Sequence, residues 1–381
     1  MIHLAKEDIK HTLGKFVVTA MGVGMLLGIV LIMMGVYRGM IVDVEVLLND
    51  LDVDLWIVQE GTLGPFAEAS RVHEDLQYTI ESLQGVDNSS AITFQNIQLP
   101  QGKSKVRVFA VGYDVYGGIN PINPARLVTG RTLATDHYEI VVTDKTGFTL
   151  HDKIQLGRNI YTVVGVTHGS VSSGGDLLVY ISLKDAQELQ FSYSNKRIQT
   201  DRARGIITRD THMVNAVIAT VKPGNNVENV AGEIRKWHHK SVYTKAQQHA
   251  VLTKYVVEKS SKQIGLFTAI LIIVATIIIS LIIYTMTLEK MKEISIMKLI
   301  GLPNSTIVRM IVEVTLLLGI LAFMFGNIFS HLIYPKFPKR VVLEIPDAWM
   351  LFGMVVVASI VASFIAVKKV INADPAAAIG D

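Results

Sequence analysis

The 381-residue sequence contains no cysteine, and only 18% of its residues are charged. The absence of thiols excludes disulfide scaffolds, cysteine-ligated zinc, iron–sulfur centres, thiol nucleophiles and lipid attachment through cysteine. Soluble globular proteins carry about 25% charged residues, so the shortage of charge argues against intrinsic disorder and against an ordinary cytosolic enzyme. The net charge of +3 is too small to indicate nucleic-acid binding, which requires a dense basic surface.

Apolar residues make up 50% of the chain and are concentrated in four stretches. Each stretch is long enough to cross a bilayer as a helix, which takes about 20 residues. We predict transmembrane helices at Phe16–Tyr37, Gly265–Leu288, Ile311–Tyr334 and Ala348–Val367. The first is longer than the apolar region of a signal peptide, and no small-x-small cleavage site follows it, so we interpret it as a retained span.

Lysine and arginine are unevenly distributed over the short segments that flank these spans, and this bias predicts orientation. Nine basic residues lie in the amphipathic N-terminal segment 1–15, the loop 289–310 and the tail 368–381, against three in the loop 335–347. We therefore expect both termini to be cytosolic, with the region 38–264 on the far side of the membrane.

The region 38–264 is electrically balanced, with 24 basic and 24 acidic residues between Arg38 and Lys262. Its length is sufficient for one or two packed subdomains. Helical spacing predicts helices at 73–83 and 227–237. Alternation of apolar and polar residues predicts strands at 54–60 and 106–114. Further strands are predicted at 139–144, 153–166, 176–183 and 216–224, the last ended by Pro-Gly.

Two further helical segments flank this domain. Residues 39–51 continue the pattern of the first span, and residues 244–264 lead into the second, so we interpret both as stalks. The Gly- and Arg-bearing stretch 190–209 is predicted to be a mobile loop. The predicted fold is membrane α-helical, with four transmembrane helices and an α+β extracytoplasmic domain on helical stalks.

The sequence contains none of the common catalytic motifs. It lacks the GxxxxGK[ST] phosphate loop, the GxSxG nucleophile elbow and the HExxH zinc helix. The densest histidine group, His238, His239 and His249, includes an adjacent pair whose side chains do not share a helix face. We interpret it, and the acidic residues of 50–54, as solvated surface, and we predict no catalytic residue, metal site or cofactor in this chain.

Two features within the spans indicate helix contacts. Glu313 is a membrane-buried acid near the start of the third span, where it either reaches water or Arg309 one turn earlier, or packs against the coupling element. Gly22, Gly24 and Gly28 in the first span permit close approach of another helix, within or between subunits.

The cytosolic loop 289–310 is the most informative segment. The helical pattern of the second span continues into it, Gly301 can supply a left-handed stop, Pro303 prevents continuation, and Asn304 or Ser305 can cap the next helix. The resulting short amphipathic helix offers an apolar ridge to a cytosolic partner, the alternative being a helix that only lies at the interface. The residues that we assign to this contact are Glu289, Lys290, Lys292, Glu293, Ile294, Met297, Lys298, Leu299, Gly301 and Leu302.

Several segments resemble the MacB/FtsX-type (type VII) ABC transporter permeases. Residues 293–301, EISIMKLIG, are similar to the EIGLLKAIG coupling motif of that family, with Ser295 where glycine is usual. Residues 373–379 resemble its ADPAxAL ending, and residues 130–166 resemble its periplasmic core domain. The resemblance covers nearly the whole chain, and residues 282–284, Glu313 and the ADP tail most resemble the DevC branch.

The resemblance implies a homodimer bound to a separate cytosolic ABC ATPase, which holds the ATP and magnesium. It implies mechanotransmission, in which the spans relay ATP-driven movement to the periplasmic domains. It further implies export of a glycolipid, drug or other hydrophobic or amphipathic compound through a periplasmic adaptor (a membrane fusion protein) and a TolC-like outer-membrane channel. The alternatives are an FtsX-like regulator of a cell-wall hydrolase, a lipoprotein-release permease and a haem exporter.

Overall fold

The computed structural model describes residues 13–102, 104–193, 212–337 and 339–371. Two compact units are present: a helical bundle, made of residues up to Gly39 and from Ser260 onwards, and an α+β domain, Met40–Lys259. Most of the predicted cytosolic tail and most of the predicted N-terminal segment lie outside the described residues, as does the part of the predicted mobile loop beyond Tyr193.

The helices, in chain order, are α1 (Leu13–Leu51), α2 (Leu76–Glu81), α3 (Leu183–Tyr193), α4 (Val227–His238), α5 (Lys245–Leu252), α6 (Glu258–Glu289), α7 (Met291–Leu299), α8 (Asn304–Ile333) and α9 (Ile345–Ile371). The strands are β1 (Leu55–Val58), β2 (Val72–His73), β3 (Val86–Gln101), β4 (Ser104–Tyr113), β5 (Leu127–Gly130), β6 (Glu139–Thr143), β7 (Lys153–Leu156), β8 (Asn159–Thr167), β9 (Leu177–Ser182), β10 (Met213–Val214), β11 (Ala216–Val221) and β12 (Ser241–Thr244).

Four helices of the described chain are long and apolar enough to cross a membrane, and they include all four predicted spans. Their shared core contains Val30 of α1, Ile279 of α6, Leu318 of α8 and Val355 of α9, all nearly inaccessible to solvent. Long runs of large aliphatic side chains explain this packing, because a helix that is apolar on all sides is stable only in a core or in lipid. The prediction of a four-span helical protein is confirmed.

The α+β domain is built on one mixed sheet. Among the described residues, ten strands form it in the order β12-β1-β11-β3-β4-β9-β6-β8-β5, with β7 beside β8. Most neighbours are antiparallel, whereas β4 with β9 and β6 with β8 are parallel. Local signals fix the helix starts, since Asn226 caps α4 through its side chain and Thr244 with Gln247 forms a capping box on α5.

The predicted α+β class is confirmed, and individual elements differ from the predictions in several places. Helix α3 was not predicted, and it includes residues 190–193 of the predicted mobile loop. The short strands β2, β5, β10 and β12 were not predicted. The predicted strand 153–166 is a hairpin of β7 and β8, since residues 157–158 form a turn in which Gly157 has a positive φ. The 16-residue strand β3 was not predicted, because its sequence, VDNSSAITFQNIQLPQ, starts with polar residues that mask the alternation. The predicted helix 73–83 is limited to the six residues of α2.

Candidate functional site: the coupling loop and its supporting contacts

The coupling loop is a separate short helix between two long ones. α6 ends at Glu289, Lys290 leaves helical geometry, and α7 follows, so the second span does not continue smoothly as predicted. α7 ends in a Schellman motif, in which the Gly301 amide donates to the Lys298 carbonyl and the Leu302 amide to the Met297 carbonyl. The φ of Gly301 is +95°, which confirms the predicted left-handed stop.

The start of α8 departs from the prediction. Pro303 occupies the N-cap position, and no side chain caps the helix, so the predicted capping by Asn304 or Ser305 is wrong. A backbone turn replaces the cap, with the Thr306 amide donating to the Pro303 carbonyl at 3.0 Å. Proline suits this position, because it has no amide hydrogen with which to continue the preceding helix.

The apolar side chains of α7 divide into an inward and an outward set. Ile294 and Ser295 are buried, and Met297 packs against the core of the bundle. Outward lie Ile296, Leu299 and Ile300, of which Leu299 is 62% and Ile300 75% exposed. We call these three residues the apolar coupling face. Sequence reasoning missed Ile296 and Ile300, although their spacing around Leu299 follows helical periodicity.

The predicted polar contact residues have different surroundings. Lys292 and Glu293 are exposed next to the apolar coupling face. Glu289 instead forms an ion pair with Lys15 of α1, with Nζ–Oε distances of 3.0 and 3.1 Å. Burial lowers the pKa of Lys290, and the nearby Glu293 carboxylate opposes this shift. Lys298 and Leu302 are half-buried.

Glu313 lies on α8, one turn after Arg309. The Arg309 guanidinium donates to its carboxylate at 2.7 Å, and both side chains are partly exposed. This is the ion pair that the i, i+4 spacing predicts. No described contact joins Glu313 to α7.

The glycines of α1 do not act as a single set. A Cβ added to Gly24 would lie 2.7 Å from the Ala322 carbonyl oxygen, and one added to Gly28 would lie 2.8 Å from the Gly326 carbonyl oxygen. α1 and α8 therefore approach each other closely within one chain at these positions. Gly22 has no atom within 4 Å of such a Cβ and lies on a different side of α1.

A second set of contacts fixes the opposite end of the bundle, and no local sequence signal predicts it. Arg38 of α1 donates to both oxygens of Asp347 in the first turn of α9, and its guanidinium lies 2.8 Å from Glu344. The Val342 amide donates to the Gly35 carbonyl at 3.0 Å. These contacts hold the loop 340–344 against α1. These partners are about 300 positions apart, which no short motif reveals.

The structure brings no metal-ligand set together in the residues that it describes. No group of three or more His, Asp or Glu side chains there could hold a metal ion. His239 ends α4 in a left-handed conformation, and His249 lies on α5. The absence of a metal, a cofactor and a catalytic residue stays a prediction.

Two family models match the chain and together cover most of it. The FtsX-like permease C-terminal model matches residues 265–375, which include the coupling loop, and the MacB-like periplasmic core domain model matches residues 16–237. The fold and the coupling loop thus define a multi-span ABC transporter permease, a non-catalytic class of membrane subunit that implies an ATPase partner. The chain belongs to the MacB/FtsX-type family of these permeases, with type VII architecture and a periplasmic-type α+β domain.

Two relatives that match over their full length are also described as ABC transporter permeases. An uncharacterized ABC transporter permease of Mycobacterium tuberculosis, Rv2563, is 23% identical over 380 residues, covering 100% of this chain and 99% of the relative. A second one, Rv0072 of the same organism, is 21% identical over 387 residues with the same coverage.

Two solved structures are similar to about half of the chain. The periplasmic region of MacB from Actinobacillus actinomycetemcomitans is 9% identical with a TM-score of 0.37, covering 51% of this chain and 90% of that one. The extracellular domain of the transporter YknZ from Gram-positive bacteria is 13% identical with a TM-score of 0.33, covering 50% and 98%. The fold assignment rests on the two family models and on the structure itself.

Proposed function

We propose that this chain is the permease of an exporter that works by mechanotransmission. In this proposal a separate cytosolic ATPase binds α7, and ATP-driven movement of that partner is relayed through the spans to the α+β domain. The observation that carries the proposal is the apolar coupling face, Ile296, Leu299 and Ile300, on a helix whose other side is anchored in the bundle.

The composition of α7 favours protein contact over simple interfacial binding. Two of the three residues of the apolar coupling face are among the most exposed aliphatic side chains of the bundle, and Lys292 and Glu293 flank them. Burial of one such side chain contributes about 1.5–3 kcal/mol. Opposite charges beside an apolar centre are typical of an interface with a polar rim. A helix that only lies on anionic lipid would gain from lysines without the acid.

The length and packing of the helices are suited to relaying movement. α1 is one unbroken helix of 39 residues, or about 58 Å at 1.5 Å per residue. Ile294 couples α7 to the same core as α6 and α8, so a push on α7 reaches both helices. Displacement can pass along a packed helix with little bending, since interiors are densely packed and of low compressibility.

The remaining parts of the proposal follow from the family. We infer a homodimer in the bacterial inner membrane, with cytosolic termini and a periplasmic α+β domain, that belongs to the DevC branch. The cargo is a hydrophobic or amphipathic compound, which leaves through an adaptor and a TolC-like outer-membrane channel. ATP and magnesium are bound by the partner subunit.

The test is purification of the chain from native membrane, followed by identification of bound proteins and measurement of ATPase activity. The wild-type chain is expected to co-purify with an ABC ATPase, an adaptor and an outer-membrane channel. Leu299→Asp is expected to lose the ATPase at least tenfold, because a charge replaces the centre of the contact. Val128→Asp is the matched control, since Val128 of β5 is 63% exposed and lies in the α+β domain.

The outcomes separate the alternatives. Equal retention of the ATPase by Leu299→Asp and wild type would overturn the coupling role of α7. A bound cell-wall hydrolase in place of the adaptor would identify an FtsX-like regulator. A second, different permease would identify a lipoprotein-release complex.

A further inference from the structure

A cavity of about 370 Å³ lies in the helical bundle at the end remote from α7. It is formed by the last turns of α8, the first turn of α9 and the loop residues that precede α9. Its volume falls within the range of about 300–1,000 Å³ that is usual for small-molecule sites. It accommodates a headgroup and the first part of a chain.

The walls of this cavity are held in place by two residues of α1 that do not line it, Arg38 and Gly35. Arg38 holds Glu344 and Asp347 together, and the Gly35 carbonyl accepts from the Val342 amide. A Cβ at Gly35 would lie 2.6 Å from the Val341 side chain, so glycine is what lets the loop lie against α1. The cavity is therefore preformed rather than dependent on a ligand.

The polar side of the cavity offers hydrogen-bond acceptors. His331 Nδ1 lies 2.9 Å from the Asn327 carbonyl oxygen, and a carbonyl only accepts, so Nδ1 carries the hydrogen. The neutral ring then presents Nε2 as an acceptor. Glu344 adds a carboxylate, 45% exposed at its side chain. The described lining holds two carboxylates, Glu344 and Asp347, and no lysine or arginine, so its net charge is negative, which favours a cationic donor.

The other side of the cavity is apolar and aromatic. Phe323 and Trp349 both pack edge-to-face on Phe352, at centroid distances of 5.3 and 5.8 Å. Leu343 completes this side, and Trp349 is largely exposed. Tryptophan in such a position is typical of the membrane–water interface. The lining thus combines hydrogen-bond acceptors with apolar and aromatic surface.

We propose that this cavity binds a membrane amphiphile whose headgroup carries a primary ammonium, with the ammonium at Glu344 and His331 and the alkyl part along Phe323, Leu343 and Trp349. An ammonium supplies three donors and one positive charge, and it matches both the acceptors and the net charge of the site. The proposal does not depend on which compound the transporter exports.

The experiment is native mass spectrometry of the full-length delipidated protein with added phosphatidylethanolamine, phosphatidylcholine or phosphatidylglycerol. We expect one site with about tenfold preference for phosphatidylethanolamine, equivalent to about 1.4 kcal/mol. Glu344→Gln should remove the preference, and Ala348→Trp should block the site while leaving the Arg38 contacts in place. Glu313→Gln, the same change at the other end of α8, should leave the preference intact.

Competition with dodecylammonium separates two sources of the same headgroup. Retention of phosphatidylethanolamine against an excess identifies a resident bilayer lipid, and displacement identifies a single-chain ammonium amphiphile as a suitable occupant. Equal binding of the three lipids to wild type would overturn the proposal. So would an unchanged preference in both Glu344→Gln and Ala348→Trp.

Discussion

The contact between α1 and α8 can be tested by adding a single methyl group to each glycine of α1. In Gly24→Ala the new Cβ would lie 2.7 Å from both the Ala322 carbonyl oxygen and the Phe325 Cβ. In Gly28→Ala it would lie 2.7 Å from Phe329 Cδ1 and 2.8 Å from the Gly326 carbonyl oxygen. Both contacts include a backbone carbonyl oxygen, so α1 and α8 must separate at both positions.

The magnitude follows from the geometry. Carbon atoms in contact are normally about 3.5–4.0 Å apart, so the helices must separate by roughly 1 Å. Insertion of a methylene into a packed core costs about 1–3 kcal/mol. We expect both Gly24→Ala and Gly28→Ala to lower the free energy of unfolding by this amount, because each new methyl group meets a backbone carbonyl oxygen of α8. The two costs should not add, since both variants separate the same helices.

The control is on the same helix. Gly22→Ala places the same methyl group where no atom lies within 4 Å, so it should be neutral or slightly stabilising. The assay is reversible unfolding of each variant in mixed micelles, followed by helical circular dichroism. If Gly24→Ala is as stable as Gly22→Ala, the close approach of α1 and α8 is refuted.

Three further predictions concern the α+β domain, the coupling loop and topology. Arg131 donates to Glu139 and, with the Ala134 amide, lowers the pKa of the Glu139 carboxyl from its usual 4.5. The ionised carboxylate therefore stabilises the folded domain above pH 4.5, and this stabilisation is lost as the pH falls through the lower pKa of the folded state. Glu139→Gln should therefore lower the free energy of unfolding by about 1–2 kcal/mol at pH 7 but less at low pH, measured as hydrogen exchange in β6; a loss that is independent of pH would contradict this. Gly301→Pro should abolish ATPase stimulation in inserted protein because proline cannot adopt a φ of +95°, and Glu293→Lys should do the same by reversing a charge next to the apolar coupling face; normal stimulation would count against the coupling loop. His73→Cys, in a chain without other cysteines, should react with impermeant maleimide only from outside the inner membrane, whereas labelling from the cytosol would reverse the proposed orientation.

Much of the architecture is predictable because its causes are local. Long apolar runs with few or no charged residues specify the four spans, and Gly301 followed by Pro303 specifies the end of α7. The strand β4, in which apolar and polar residues alternate, and the nearly continuous apolar strand β9 were also predicted. In each case the signal lies within one stretch of the chain and depends on backbone preference or burial.

What could not be predicted depends on which distant segments meet. Nothing local to Arg38 identifies Asp347 as its partner, and nothing in the first span distinguishes Gly24, which faces α8, from Gly22, which does not. The inward position of Ile294 and the outward position of Ile300 depend likewise on how α7 lies against its neighbours. Helical periodicity divides the side chains of α7 into two faces, and tertiary packing decides which face stays exposed.

The central claim is that this chain relays movement from an ATPase to its α+β domain. A single cysteine at the exposed Val128, in an otherwise cysteine-free chain, allows a spin label whose distance between subunits is measured by pulsed electron paramagnetic resonance in nanodiscs with the ATPase bound. If movement is relayed in this way, we expect that trapping the ATPase in its ATP-bound state shifts this distance, and that Leu299→Asp abolishes the shift. An unchanged distance on ATP binding, or the same shift in Leu299→Asp, would contradict it.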